Sequence, residues 1–126
     1  MNAYNISGGA MFGSKSENGY MEVLNGIKIK TLNYGRDTLM TEFLLKKGSI
    51  LPEHAHINEQ TGYFVKGKMR LFIDGSSRIV TPGDSWNIPS NSKHKAEVIE
   101  DSVAIEVFSP GRNDYMKYVY DGDIME

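Results

Sequence analysis

Turn residues recur so regularly along this chain that the runs between them read as short strands. Asn25-Gly26 is a two-residue hairpin signal, followed by the alternating Ile27, Lys28, Ile29 and Lys30. Residues 38–45 form a second β-rich run, and Lys47-Gly48 turns the chain into a strand that carries His54 and His56. Residues 61–65 and 69–73 read as two strands joined across Lys66-Gly67-Lys68, and Asp74-Gly75 makes another turn. After residues 78–81 comes Pro82-Gly83-Asp84, where proline sets φ and glycine tolerates the unusual one. Residues 85–88, 95–99 and 103–108 complete the set. So many short strands at even spacing predict an all-β protein, a sandwich or a closed barrel. A helix is expected only over residues 113–118. Residues 1–22 read as an arm that packs on the barrel or swaps with a partner subunit, a mobile tail being the alternative. Residues 23–126 read as a single barrel with a C-terminal extension.

The chain has three histidines, and two of them, His54 and His56, are one residue apart. On a regular strand that spacing puts both on one face. Gln60 follows four residues after His56, and His94 follows the turn that begins at Gly83. A lone histidine would suit a barrel-filling side chain. Two at metal-ligand spacing, with a third further on, point to a metal site.

Composition narrows the rest. A formal charge of −2 gives no electrostatic case for nucleic acid or an anionic membrane. With no cysteine, disulfides, thiolate nucleophiles and cysteine-based metal sites are excluded together. No basic leader, no apolar opening run and no stretch of ~20 apolar residues occur, so a cytoplasmic location off the membrane is expected.

Gly48, His54, His56, Gln60 and Gly67 are separated by five, one, three and six residues. This pattern resembles the first cupin motif, with Gln60 where most cupins carry glutamate. Gly83, Pro89, Asn91 and His94 follow with gaps of five, one and two, and resemble the second motif. There Asn91 replaces the usual glycine and Val98 the usual asparagine. The resemblance implies a double-stranded β-helix, the cupin jelly-roll barrel, with His54, His56, Gln60 and His94 turned inward on one divalent transition metal (Zn, Ni, Fe, Mn or Co). Asparagine tolerates the left-handed conformation, so Asn91 can make the same turn. A neutral amide leaves more of the ion's charge uncompensated than a glutamate would, favouring an anionic or polyhydroxyl ligand.

In residues 103–108 alternation puts Ala104, Glu106 and Phe108 on one face. A glutamate there is either solvent-facing or, with Ala104 and Phe108 beside it, partly desolvated, and in the second case it would suit acid–base work near neutral pH. Beyond Pro110 and Gly111, Arg112 could fork onto a ligand carboxylate at the barrel mouth, or form an ion pair with Asp114. The segment from Glu106 to Tyr115 resembles the tail of KdgF-like cupins of pectin and alginate breakdown. Those proteins convert 4,5-unsaturated monouronates to linear ketonised forms, at a metal held by three histidines and a glutamine. Their active-site aspartate, phenylalanine and arginine fall on Glu106, Phe108 and Arg112, the glutamate being one methylene longer. The resemblance implies a metal-dependent enzyme for a small anionic sugar acid, and cupins commonly pair as homodimers. Two other classes stand beside it: a small metal-cupin dioxygenase and a non-catalytic cupin that binds a small acid. Among lesser positions, Trp86, Ile88 and Phe64 read as core, Tyr63 as outward, and the tyrosines from 115 to 120 as packed.

Overall fold

The computed structural model describes residues 11–125. Ten strands follow in order: β1 (Phe12–Gly13), β2 (Met21–Leu24), β3 (Ile27–Tyr34), β4 (Leu39–Leu45) and β5 (Ile50–His54) in the first half. The second half holds β6 (Glu59–Ile73), β7 (Ser76–Val80), β8 (Ser85–Ile88), β9 (His94–Ser109) and β10 (Ile124–Met125). Eight of them make one antiparallel sheet in the order β2-β3-β4-β9-β6-β7, with β5 added on β9 and β8 on β6. β1 and β10 pair separately. The all-β expectation holds, and the one helical run predicted, 113–118, is a 3₁₀ helix over Asn113–Tyr118.

The spine of the barrel is the pairing of β6 with β9 along almost their whole lengths, from Glu59↔Ser109 to Ile73↔His94. Sequence reading divides each of these strands in two; the structure makes each continuous. The reason lies at Gly67. It takes φ of +99°, and a Cβ there would lie 2.3 Å from both Asp101 O and Ser102 Oγ. The chain bulges here without ending the strand, and the ladder loses register between Phe64 and Met69. The inward phase shifts with it, from Gln60, Gly62 and Phe64 to Met69 and Leu71.

This bend brings the site together. In a straight ribbon Gln60 and the His94 partner Ile73 would be roughly 40 Å apart at ~3.3 Å per residue. Folded at the bulge, one half of β9 pairs with β4 and the other with β5, and the ends of the ribbon close on a common interior. Ile27, Ile29, Phe43, Phe64, Leu71 and Val98 are part of the apolar core that fills it. Phe64 is buried and Tyr63 exposed, as alternation predicts.

The arm expected over residues 1–22 lies outside the described residues in its first ten. From Met11 onward, β2 pairs with its own chain's β3, and residues 16–18 cross the outer face of β3. There Lys30, only 2 % exposed, donates to the carbonyls of Ser16 (3.0 Å) and Asn18 (2.9 Å) and to Asp123 Oδ2 (2.9 Å). One ammonium thus ties the N-terminal segment and the C-terminal tail to the barrel wall. Among the described residues no helix is long and apolar enough to cross a membrane.

Candidate metal centre

Three imidazoles meet at one end of the barrel. His54 ends β5 and His94 opens β9, the two paired across the strands. His56 departs from the expectation of a shared strand face, because the strand stops at His54 and His56 stands in the loop beyond. Its place is set by bonds instead of pleat: Asn91 N–H donates to His56 O at 2.8 Å, with Asn91 in the left-handed region at φ of +65°. The ring centroids lie 4.1 Å apart for His54 and His94, 5.0 Å for His56 and His94, and 5.7 Å for His54 and His56. One nitrogen from each falls within 4.8 Å of the others.

Each ring is held from behind by a backbone carbonyl. Nδ1 of His54 is 2.8 Å from Pro52 O, that of His56 is 2.9 Å from Asn58 O, and that of His94 is 2.9 Å from Ser92 O. A carbonyl only accepts, so in the neutral ring the proton sits on Nδ1 and Nε2 keeps its lone pair. Burial lowers the His94 pKa to about 4, and the neighbouring imidazoles and Arg112 add to that. Burial and then the Arg112 cation lower that of His56 as well. Both are neutral at physiological pH, the state a metal ligand needs.

Gln60 is buried on β6, and its Oε1 faces His56 Nε2 at 3.1 Å. Two lone pairs opposed at that distance leave a place for a cation. His94 Nε2 is buried without a hydrogen-bond partner, which also calls for one. The four donors fit a divalent first-row ion, since imidazole and amide suit such metals.

The sequence-predicted companions surround this cluster. Glu106 is 5 % exposed behind Gln60; its Oε2 accepts from the Gln60 amide and its Oε1 from the Trp86 indole at 2.8 Å. Burial raises its pKa to about 7, against the pull of those two bonds. Phe108, paired with Gln60 across the strands, sets its ring edge-on to His56 at 5.7 Å. Arg112 stands at the mouth, in a cleft of about 240 Å³ that His54, Tyr115 and Tyr118 also line. Its fork is on Asp114, Nε to Oδ1 at 3.2 Å and Nη2 to Oδ2 at 2.7 Å, while Nη1 donates to Tyr115 Oη at 2.8 Å. The ion pair held open by the sequence reading is therefore formed. Three of the guanidinium's five N–H donors are engaged and two remain.

Some participants escaped sequence reasoning. Asn58 holds His56 through its carbonyl and the Arg112 turn through its side chain, which donates to Pro110 O at 2.6 Å. Tyr115 read as packing, yet its hydroxyl receives Arg112. Burial raises its pKa to about 12, so it stays protonated. Trp86 lies in the core, as read, and beyond that its indole donates to Glu106. The available signal was Gly62, a glycine inside a strand, which marks a close approach of neighbouring groups.

Comparison with known proteins agrees with this architecture. The cupin domain family matches residues 41–109, more than half of the chain. The pectin degradation protein KdgF of Dickeya dadantii (strain 3937) is 33 % identical over 102 residues, covering 79 % of this chain and 93 % of that protein. The structure of KdgF from Halomonas sp. superposes with a TM-score of 0.79 at 30 % identity, covering 83 % of this chain and 97 % of that one. An RmlC-like cupin from Shewanella frigidimarina NCIMB 400 does so with 0.80 at 27 % identity, over 83 % and 95 % of the two chains. A family match over more than half of the chain, together with the identity to KdgF and the superposition on a KdgF structure, shows that the chain belongs to the cupin family, among its KdgF-like members.

Proposed function

We propose that this chain is a metal-dependent enzyme that converts 4,5-unsaturated monouronates, products of pectin or alginate breakdown, into their linear ketonised forms. The observation that carries the reading is the pairing, at one barrel mouth, of a three-histidine, one-glutamine donor set with the Arg112 cation. Similarity to a pectin degradation protein supports the substrate class.

The reaction is an isomerisation. The bond between the ring oxygen and carbon 1 breaks, the anomeric hydroxyl gives up its proton as carbon 1 becomes an aldehyde, and carbon 4 takes a proton as carbon 5 becomes a ketone. A divalent ion held by His54, His56, Gln60 and His94 would supply Lewis-acid polarisation of a substrate oxygen. Arg112 would hold the uronate carboxylate with the donors that Asp114 and Tyr115 leave. Phe108 forms the apolar wall beside His56 and keeps water from that side. Glu106, whose two oxygens accept from Gln60 and Trp86, would be the acid–base group beside the cluster.

The test is turnover of a 4,5-unsaturated monogalacturonate by protein of known metal content, followed by loss of the conjugated double bond's ultraviolet absorbance. Loss faster than in buffer, abolished by a chelator and restored by metal, is the expected result. No acceleration with metal confirmed in the site would overturn the reading, and oxygen consumption instead would move the chain among the dioxygenases.

A further inference from the structure

The strand register sets three inward-facing residues abreast: Trp86 on β8, Gly62 on β6 and Glu106 on β9. Adjacent strands lie about 4.8 Å apart, so the backbones of Trp86 and Glu106 are roughly 10 Å apart with β6 between them. Their side chains can meet only if the middle strand presents none. Gly62 meets that condition: a Cβ there would lie 2.1 Å from Trp86 Nε1 and 2.5 Å from Glu106 Oε1. Over that gap the indole N–H donates to Glu106 Oε1 at 2.8 Å, and Oε2 accepts the amide N–H of Gln60.

The consequence falls on Gln60. A side-chain amide has two ends of nearly equal size, and only the oxygen can face a cation. A carboxylate that accepts the amide nitrogen settles which end does. Glu106 can do this only while Trp86 holds its other oxygen in place.

We propose that Trp86 and Gly62 are positioning residues for the metal centre, acting through Glu106 to keep the Gln60 amide oxygen turned on the ion. The inference rests on the metal-site part of the proposed function and is independent of the uronate substrate. It also makes Trp86, the chain's single tryptophan, a reporter two hydrogen bonds away from a metal ligand.

The experiment is titration of the purified full chain with zinc, reading Trp86 emission and, in parallel, affinity by chelator competition. Zinc is d¹⁰ and has no absorption band to quench the indole, so a spectral change reports the bonded chain. In the wild type, emission should shift in step with zinc binding. Glu106→Ala should still bind zinc through the histidines but leave the emission unresponsive. Trp86→Phe keeps an aromatic ring and removes the N–H; its zinc affinity should fall about tenfold, within the range for residues that orient metal ligands, with the far-ultraviolet circular dichroism unchanged. Gly62→Ala should show the same loss and an emission maximum displaced before any zinc is added. Should Gly62→Ala fail to fold, Trp86→Phe decides. Wild-type zinc affinity in Trp86→Phe, or a wild-type emission that ignores bound zinc, would overturn the proposal. A wild type that binds neither zinc, cobalt nor nickel would overturn the metal reading beneath it.

Discussion

Replacing Lys30 by methionine tests how residues 16–18 and Asp123 are held on the barrel. Methionine keeps most of the stem's volume and removes the ammonium. What is lost is an ion pair to Asp123 at 2.9 Å and bonds to two carbonyls at 3.0 and 2.9 Å, from a residue 2 % exposed. Breaking a buried pair by removing one partner costs about 3–5 kcal/mol. Here the Asp123 side chain is 12 % exposed and keeps a 2.6 Å bond from Ser16, so water and that hydroxyl recover part of the loss. A net cost of about 2–3 kcal/mol follows. For a domain of this size about 1 kcal/mol corresponds to a few degrees in Tm, so the midpoint should fall by roughly 10 °C. Differential scanning calorimetry of the two proteins at neutral pH reads this directly, and Asp123→Asn, alone and combined, gives the coupling energy. A fall of less than about 2 °C would refute the reasoning, since it would mean that desolvating the ammonium cancels its bonds.

Three further outcomes follow from the same geometry. Burial alone would raise the Asp123 carboxyl, but its bonds from Lys30 and Ser16 hold it below the usual carboxylate range. A lowered folded-state pKa contributes stability above the ordinary value of about 4 that is lost as pH falls through the folded one. The Tm gap between wild type and Asp123→Asn should therefore hold from neutral pH down to about 4 and close below it, as melting curves across that range would show. Removing the His94 imidazole takes away the donor whose Nε2 is buried and unpartnered, and His94→Ala should weaken zinc by more than about 100-fold in a chelator competition. Arg112→Ala should raise KM for an unsaturated uronate by about 10–100-fold, the worth of charge-assisted hydrogen bonds to a carboxylate. An unchanged KM would leave Arg112 only its pairing with Asp114 and Tyr115.

The parts of the site that could be read from the sequence are those encoded by local spacing. His54, His56, Gln60 and His94 sit at fixed intervals beside turn residues, and Asn91 adopts the left-handed turn its residue type allows. The short helical segment ending at Tyr118 and the shared face of Ala104, Glu106 and Phe108 were equally local matters, while that this face is the buried one comes from the structure. What the sequence hid depends on register between distant strands. Lys66-Gly67-Lys68 has the composition of a turn, and only the close approach of Asp101 and Ser102 makes it a bulge in a continuous strand. Gly62 looks like a weak point in β6 until β8 and β9 are laid beside it with Trp86 and Glu106 in line. Arg112 lay open between a ligand and Asp114, and the neighbouring Tyr115 hydroxyl and ring, whose centroid is 3.9 Å from the guanidinium carbon, complete the ion-paired arrangement.

The measurement that bears most directly on the central claim is proton NMR of a 4,5-unsaturated monouronate incubated in D₂O with the metal-loaded chain. The account predicts a linear product, with deuterium incorporated at carbon 4 beside the new ketone and an aldehyde or its hydrate at carbon 1. Formation should be faster than in buffer and should cease when metal is removed. A sugar acid that keeps its ring and its double bond at the uncatalysed rate, with metal present in the site, would contradict it.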